Sequence, residues 1–164
     1  MKSLYFLILL IFFSLQVNAQ ELDENTFKFW VGQWDLTWRD TNGNVSRGSN
    51  LIESILDDKV IQEHFEGLEG QYQGFKGTSI SVFNPTTKSW HQTWQDNQGG
   101  NIVLTGRVEG NRKIFETAMT EEGRQSRMVF HSFTEDGFIW DWEATADGGN
   151  TWQLSWQINY TKAK

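Results

Sequence analysis

The feature that most constrains this chain is an alternation of apolar and polar side chains that recurs from Trp34 to the C-terminus. The stretch "WDLTW" places Trp34, Leu36 and Trp38 on one face and polar residues on the other, and "WQLSWQINY" at 152–160 repeats the pattern. A period of two is the period of a half-buried β-strand. The chain is therefore predicted to consist of amphipathic strands.

Turn-forming residues interrupt the alternation about every ten residues, at 40–44, 57–59, 67–70, 84–88, 96–100, 109–111, 121–123, 135–137 and 146–150. Asn-Gly, Asp-Gly and Gly-Asn accept the positive φ that tight hairpins require. Short connections make consecutive strands antiparallel neighbours, and closing the sheet on itself removes both edges. We therefore predict an all-β fold, a single up-and-down antiparallel barrel of about ten strands. A two-sheet sandwich is the alternative, but no long crossover is visible.

The segment before the first strand has a different period. In "ENTFKFWVG", Phe27, Trp30 and Val31 recur at helical spacing, and Gly32 follows them. This predicts a short N-terminal helical turn ahead of the barrel. An irregular plug is the alternative.

The chain begins with the pattern of a secretory leader. Lys2 precedes an apolar run over residues 4–15, and "QVNAQ" supplies small residues for cleavage. The run is shorter than the roughly 20 residues that a membrane span needs. We predict a signal peptide over residues 1–19, cleavage before Gln20, and a barrel domain over 20–164. The protein is then exported, either periplasmic or secreted, with no membrane span after cleavage.

Composition narrows the function classes. The chain has no Cys, which excludes disulfides, thiolate nucleophiles and Cys metal sites. Its net charge of −7 disfavours nucleic acid and anionic lipid surfaces as partners. Three scattered His residues have no metal-ligand spacing, so no metal and no cofactor is expected. The sequence does not indicate an oligomeric state.

One carboxylate falls on an apolar face. Ile61, Glu63 and Phe65 alternate with polar residues, which directs Glu63 toward the barrel interior. A buried carboxylate is costly unless it is paired or protonated. Glu63 could anchor a ligand, act as a general acid or base, or serve as a structural strut.

A second candidate face carries two tryptophans. Trp90, Gln92, Trp94 and Asp96 alternate onto one side. Two indoles flanking an amide could form a flat platform for an aromatic ring, a sugar or a lipid tail. The alternative is an ordinary core with one satisfied amide.

The stretch "RMVFHSF" at 127–133 is ambiguous because both of its faces are partly apolar. If Arg127 and His131 point inward, Arg127 could pair with Glu63 or with a ligand carboxylate. An inward His131 could also ligate a haem iron, although a hydrogen-bonded wall residue is the alternative.

Three functional hypotheses remain open. The first is a barrel that binds a small hydrophobic or aromatic ligand, with a site drawn from Trp34, Glu63, Phe65, Trp90, Gln92, Trp94, Arg127, His131, Trp142 and Trp156. The second is a hydrolase or isomerase that uses Glu63 with His131 or Arg127. The third is a filled barrel that acts through its outer surface in protein interactions. No catalytic residue is assigned.

The pattern Thr145-x-Asp147-x-Gly149-x-Thr151-Trp152 resembles the Asp-box, a β-hairpin signature of sialidase propellers. One copy in a chain of this length cannot build a propeller of four-stranded blades. We interpret it as a mechanical turn in which Asp147 accepts backbone N–H bonds, Gly149 has positive φ and Trp152 packs over the hairpin.

A wider resemblance covers most of residues 20–164. The segments that carry it are Phe29-x-x-Gly32-x-Trp34, Gly48-x-Asn50-x-Ile52, Glu63-x-Phe65-x-Gly67, Trp90-x-Gln92-x-Trp94-x-Asp96 and the Asp-box pattern. They resemble a family of exported bacterial proteins classified as a domain of unknown function and placed among the calycin-like β-barrels. Phe65 departs from that pattern, because relatives commonly have Trp there. The resemblance implies a barrel with a short N-terminal helix, and calycins in general hold small hydrophobic molecules inside the barrel.

Overall fold

The computed structural model describes residues 22–164 as a closed ten-stranded barrel. Each strand pairs antiparallel with its sequence neighbour, and the first strand closes the sheet by pairing with the last. The strands are β1 (Gly32–Arg39), β2 (Val45–Ile55), β3 (Val60–Gly67), β4 (Lys76–Asn84), β5 (Ser89–Asp96), β6 (Asn101–Glu109), β7 (Arg112–Glu116), β8 (Gln125–His131), β9 (Gly137–Thr145) and β10 (Gln153–Lys162). The predicted up-and-down barrel is confirmed, and each predicted turn falls between two strands.

Helix is confined, in the described residues, to two single turns of 3-10 helix, at Lys28–Trp30 and Gly70–Tyr72. The first confirms the short N-terminal helical turn. The second lies in the connection between β3 and β4 and was not predicted. The predicted signal peptide over residues 1–19 and the cleavage before Gln20 lie outside the described residues. Within residues 22–164, no helix is long and apolar enough to cross a membrane.

The N-terminal segment closes one end of the barrel. Phe27 stacks on Phe115 with ring centroids 4.1 Å apart, and Trp30 meets Phe130 at 5.3 Å. Both Phe27 and Trp30 are buried. Indole N–H groups fix the segment: Trp34 donates to the Trp30 carbonyl at 2.8 Å. This plugged end therefore contains a densely packed aromatic core.

The other end of the barrel is formed by the turns that follow the odd-numbered strands. The 3-10 turn Gly70–Tyr72 and the Asp-box hairpin both lie there, because β3 and β9 run away from the N-terminal plug. Aromatic side chains surround this end, and the described N-terminal turn Lys28–Trp30 lies at the opposite end. The opening between them is the feature on which a functional site depends.

Candidate ligand-binding site

A cavity of about 520 Å³ lies at the open end of the barrel. Its walls are mainly aromatic, supplied by the β3–β4 connection and by β3, β5, β9 and β10. The aromatic lining consists of Phe65, Tyr72, Phe75, Trp94, Trp140, Trp142, Trp156 and Tyr160. Pockets of this size and composition are typical of small-molecule sites.

Glycine and stacking geometry set the walls of the cavity. A Cβ built on Gly77 would lie 1.9 Å from Cζ2 of Trp94, so the absent side chain allows the indole to lie against β4. Tyr72 stacks on Trp156 with centroids 4.5 Å apart. Trp140 and Trp142 are nearly parallel at 6.3 Å. Paired rings of this kind hold one another in fixed orientations.

A β-bulge changes which residues of β10 face the cavity. The pairing of β10 with β9 shifts register between Leu154 and Trp156. Trp156 consequently faces inward, whereas Leu154 is 55% exposed. The alternation in the sequence predicts that Trp152, Leu154 and Trp156 share one face of the strand, and this prediction is wrong. An extra residue in one strand breaks the alternation of period two.

Asp96 contributes a fixed carboxylate to the rim. Its Oδ1 accepts hydrogen bonds from the backbone N–H groups of Gln98 and Gly100, and its Oδ2 accepts from Trp94 Nε1 at 3.1 Å. Partial burial raises the pKa of Asp96, but these hydrogen bonds outweigh it and hold the pKa below its ordinary value. Asp96 is therefore a charged lining residue at neutral pH.

Beneath the cavity, a belt of polar side chains crosses the interior faces of β2 to β5. Asn50 Nδ2 donates to Glu63 Oε1 at 2.7 Å, and Ser79 Oγ donates to Glu63 Oε2 at 2.6 Å. Gln92 Nε2 donates to the hydroxyls of Ser79 and Ser81. Neighbouring strands place these groups within reach, because Glu63 pairs with Ser79 and Ser81 pairs with Gln92 in the sheet register.

Tyr160 joins the belt to the cavity. Asn50 Nδ2 also donates to the Tyr160 hydroxyl at 3.1 Å, and Tyr160 lines the cavity from β10. One amide thus bridges the lining residue Tyr160 and the carboxyl of Glu63. A charge on Glu63 lies close beneath the cavity floor.

Glu63 has an unusual electrostatic environment. Glu63 is 4% exposed, and among the described residues it forms no ion pair. Burial raises its pKa to about 7, although the hydrogen bonds from Ser79 and Asn50 favour the charged form. Burial, together with the charge of Glu63, raises the pKa of Tyr160 well above its ordinary value. Glu63 is therefore a carboxyl that changes charge near neutral pH.

Two acceptors of the belt have no hydrogen-bond partner. These are Oδ1 of Asn50 and Oε1 of Gln92, both fully enclosed. The predicted interior position of Gln92 is confirmed, but its amide is only half satisfied. Unpaired buried acceptors make the belt electronegative.

Arg127 lies on the outer face of β8, not in the interior. Its Nε donates to Glu143 at 2.6 Å, and its guanidinium stacks 3.6 Å from the Trp152 ring centroid. Met128 and Phe130 occupy the interior positions of the same strand. The inward arrangement that would pair Arg127 with Glu63 is therefore wrong. The Asp-box hairpin covers the outer face of β8 and buries Arg127 there. The alternation of apolar and polar residues in β8 therefore does not distinguish its inner face from its outer face.

His131 also lies on the outer face. Its Nε2 lies 2.9 Å from Asp141 Oδ2, and its Nδ1 lies 2.9 Å from the hydroxyl of the exposed Ser132. Gln157 donates to the other oxygen of Asp141. The inward orientation that haem ligation or partnership with Glu63 would require is wrong for this side chain.

The other predicted site residues divide between the two ends. Trp34 and Trp90 are buried at the plugged end, where Trp90 Nε1 donates to the Asp23 carbonyl at 2.7 Å. The cavity itself brings together Phe65, Trp94, Trp142 and Trp156. Residues of the cavity and the belt that sequence reasoning did not assign to the site include Asn50, Tyr72, Phe75, Ser79, Ser81, Ile102, Met128, Trp140, Ile158 and Tyr160. Asp96 was placed on a candidate face but not in the site. The sequence could have identified Trp140, Asp96 and Tyr160. Each lies two or four residues from a predicted site residue on the same strand, and therefore on the same face.

The Asp-box hairpin behaves as the mechanical turn that its pattern indicates. Asp147 accepts from the backbone N–H and the hydroxyl of Thr151, and Gly149 has φ of 87°. Trp152 Nε1 donates to the Gly149 carbonyl at 3.1 Å. The hydrogen bonds from Thr151 hold the pKa of Asp147 at about 2. The hairpin thus directs Trp152 onto Arg127 and supports the outer wall beside the cavity.

The described residues contain no cluster of three or more His, Asp or Glu side chains that could hold a metal ion. No protein-family model matches the chain, and no curated protein matches it. Among solved structures, a redesigned β-barrel is similar at 11% sequence identity, over 90% of this chain and 100% of that one, with a TM-score of 0.42. So distant a similarity does not bear on a ligand or a reaction. The antiparallel barrel is established by the strand pairing of the chain itself.

Proposed function

We propose that this barrel binds a small molecule with a hydrophobic or aromatic body in the cavity at its open end. The observation that carries the proposal is the cavity of about 520 Å³ with eight aromatic lining residues. Removing apolar ligand surface from water contributes about 25 cal/mol per Å². The stacked rings are largely preformed, which lowers the ordering cost of binding.

Export is part of the proposal. Its support is the leader pattern over residues 1–19 and the resemblance to exported calycin-like barrels. An exported barrel with an open apolar cavity would carry or capture its ligand outside the cytoplasm, in the periplasm or beyond the cell.

The enzyme hypothesis has less support than the binding hypothesis. It needs a reactive group beside Glu63, and the two predicted partners, Arg127 and His131, face outward with partners of their own. The filled-barrel hypothesis does not explain the cavity. Ligand binding therefore accounts for more of the geometry than either alternative.

The test is fluorescence titration of residues 20–164 with N-phenyl-1-naphthylamine, an uncharged aromatic probe that brightens in apolar surroundings. We expect saturable binding by the wild-type barrel. Trp142→Ala removes a cavity wall and should weaken binding about tenfold or more, since burying an aromatic side chain against a ligand contributes about 1.5–3 kcal/mol. Ile102→Trp, which fills the cavity, should abolish binding.

The matched control is Trp152→Ala, because Trp152 lies on the outer face over Arg127. This variant should bind the probe as the wild type does. The proposal is overturned if the wild-type barrel shows no saturable binding, or if both tryptophan variants lose affinity equally.

A further inference from the structure

The charge of the cavity points to one class of ligand. Asp96 is its charged lining residue, and the lining contains no Lys, Arg or His. A carboxylate ligand would find no cation to pair with there, and it would meet a carboxylate at the rim. Like charges at close range in a region of low dielectric cost several kcal/mol, on the order of 332/(εr).

The aromatic walls add to the same preference. The face of an aromatic ring carries partial negative charge, so an ammonium group within about 6 Å of an indole or phenol ring is attracted to it. Tyr72, Trp94, Trp142 and Trp156 surround the cavity with such rings. Several aromatic faces around a single cation form the arrangement that recognises alkylated ammonium groups.

The polar belt supplies a second negative centre below the floor. Glu63 is enclosed without a cationic partner among the described residues, and Asn50 connects it to the lining residue Tyr160. The unpaired oxygens of Asn50 and Gln92 add partial negative charge to the same belt. A cation in the cavity would compensate this charge even without touching Glu63, because electrostatic attraction is weakly screened inside the barrel.

We infer that the ligand of this cavity is an organic cation, an amine or alkylated ammonium carried on an apolar or aromatic body. This inference rests on the proposed function, since it assigns a chemical class to the ligand of the same cavity. The apolar body lies against the tryptophan walls, and the charged nitrogen lies between Asp96 at the rim and Glu63 below the floor. The net charge of −7 on the chain adds a long-range attraction for cations.

The experiment uses three probes that share one aromatic body and differ in charge: 2-(1-naphthyl)ethylamine, 2-(1-naphthyl)ethanol and 1-naphthylacetate. Each competes with N-phenyl-1-naphthylamine for the wild-type barrel at pH 8. The amine should displace the dye at a concentration at least about tenfold lower than the alcohol. The carboxylate should be the weakest competitor.

Two variants locate the charge that is responsible. Asp96→Asn keeps the acceptor for the N–H groups of the turn but loses the acceptor for Trp94 Nε1, and Glu63→Gln keeps the size of the side chain. The affinity of each variant for the alcohol shows whether the cavity is intact. Each should reduce the preference for amine over alcohol about threefold or more, while affinity for the alcohol stays within twofold. Glu122→Gln, which removes the same charge from an exposed turn, should leave the preference unchanged.

The outcomes separate the two proposals. If the dye binds but the carboxylate competes as well as the amine, the inference of a cationic ligand is overturned and the binding function stands. The same holds if Glu122→Gln lowers the preference as much as Asp96→Asn does. If neither the dye nor any of the three probes binds, the proposed function fails and the inference fails with it.

Discussion

The two ends of the barrel use the same residue types for opposite purposes. At the plugged end, Phe27 and Trp30 enter the barrel and pack against Phe115 and Phe130, so the aromatic surface is buried within the chain itself. At the open end, tryptophans of β5, β9 and β10 stand around a cavity of about 520 Å³. Aromatic content alone therefore does not distinguish a core from a ligand site.

The N-terminal segment accounts for the difference. It supplies two fully buried aromatic side chains to one end, whereas the β3–β4 connection at the other end places Tyr72 against the wall, stacked on Trp156. Filling one end stabilises the fold, which leaves the other end able to remain open. Stability and binding are thus assigned to different ends of a single barrel.

The largest expected effect tests this division directly. Phe27→Ala removes a fully buried ring from the plugged end and should lower the free energy of unfolding by about 4 kcal/mol. Phe75→Ala, at the open end, should cost only about 1–2 kcal/mol because its ring is partly exposed already. Urea unfolding of both variants gives the two values. Equal losses would contradict the assignment of stability to the plugged end.

A second prediction concerns the belt between the two ends. The folded-state pKa of Glu63 is about 7, above its ordinary value of 4.5, because burial disfavours the charge. Between these pH values the folded protein retains a proton that the unfolded chain has released. The contribution of Glu63 to stability is therefore highest below pH 4.5 and decreases as pH rises through about 7, by about 3 kcal/mol.

Glu63→Gln removes this dependence. Between pH 4.5 and pH 8, the free energy of unfolding of the variant should therefore rise relative to that of the wild type by about 3 kcal/mol. Urea unfolding at the two pH values measures the gain. Tyr160, the titratable group nearest to Glu63, stays protonated throughout, since its pKa is raised well above its ordinary value. Parallel pH profiles of the two proteins would show that Glu63 carries no buried charge.

Much of the fold could be predicted because local patterns determine it. Alternation placed Trp34, Glu63 and Gln92 in the interior, and the turn residues located the strand connections. These signals depend on near neighbours in sequence, so a single sequence contains them. The closure of β1 on β10 followed from the need to pair both edges of the sheet.

The candidate site was only partly predictable, since its geometry depends on contacts between distant segments. The orientation of β8 was ambiguous because the Asp-box hairpin covers its outer face and buries Arg127. The bulge before Trp156 reversed the expected phase of Leu154. The hydrogen bond from Asn50 to Tyr160 joins residues 110 positions apart, and a pattern of neighbouring residues cannot predict such a contact.

The smallest expected effect distinguishes the inner wall of the open end from its outer wall. Trp152 and Trp142 are both half-buried tryptophans near the Asp-box hairpin, but Trp152 stacks on Arg127 outside the barrel and Trp142 lines the cavity. Trp152→Ala removes a cation–π contact that contributes about 1 kcal/mol, so thermal unfolding should show a small loss of stability. Glu143 keeps Arg127 charge-paired in the variant, which limits the loss. A loss of several kcal/mol would mean that the outer hairpin, and not the N-terminal plug, holds the open end in shape.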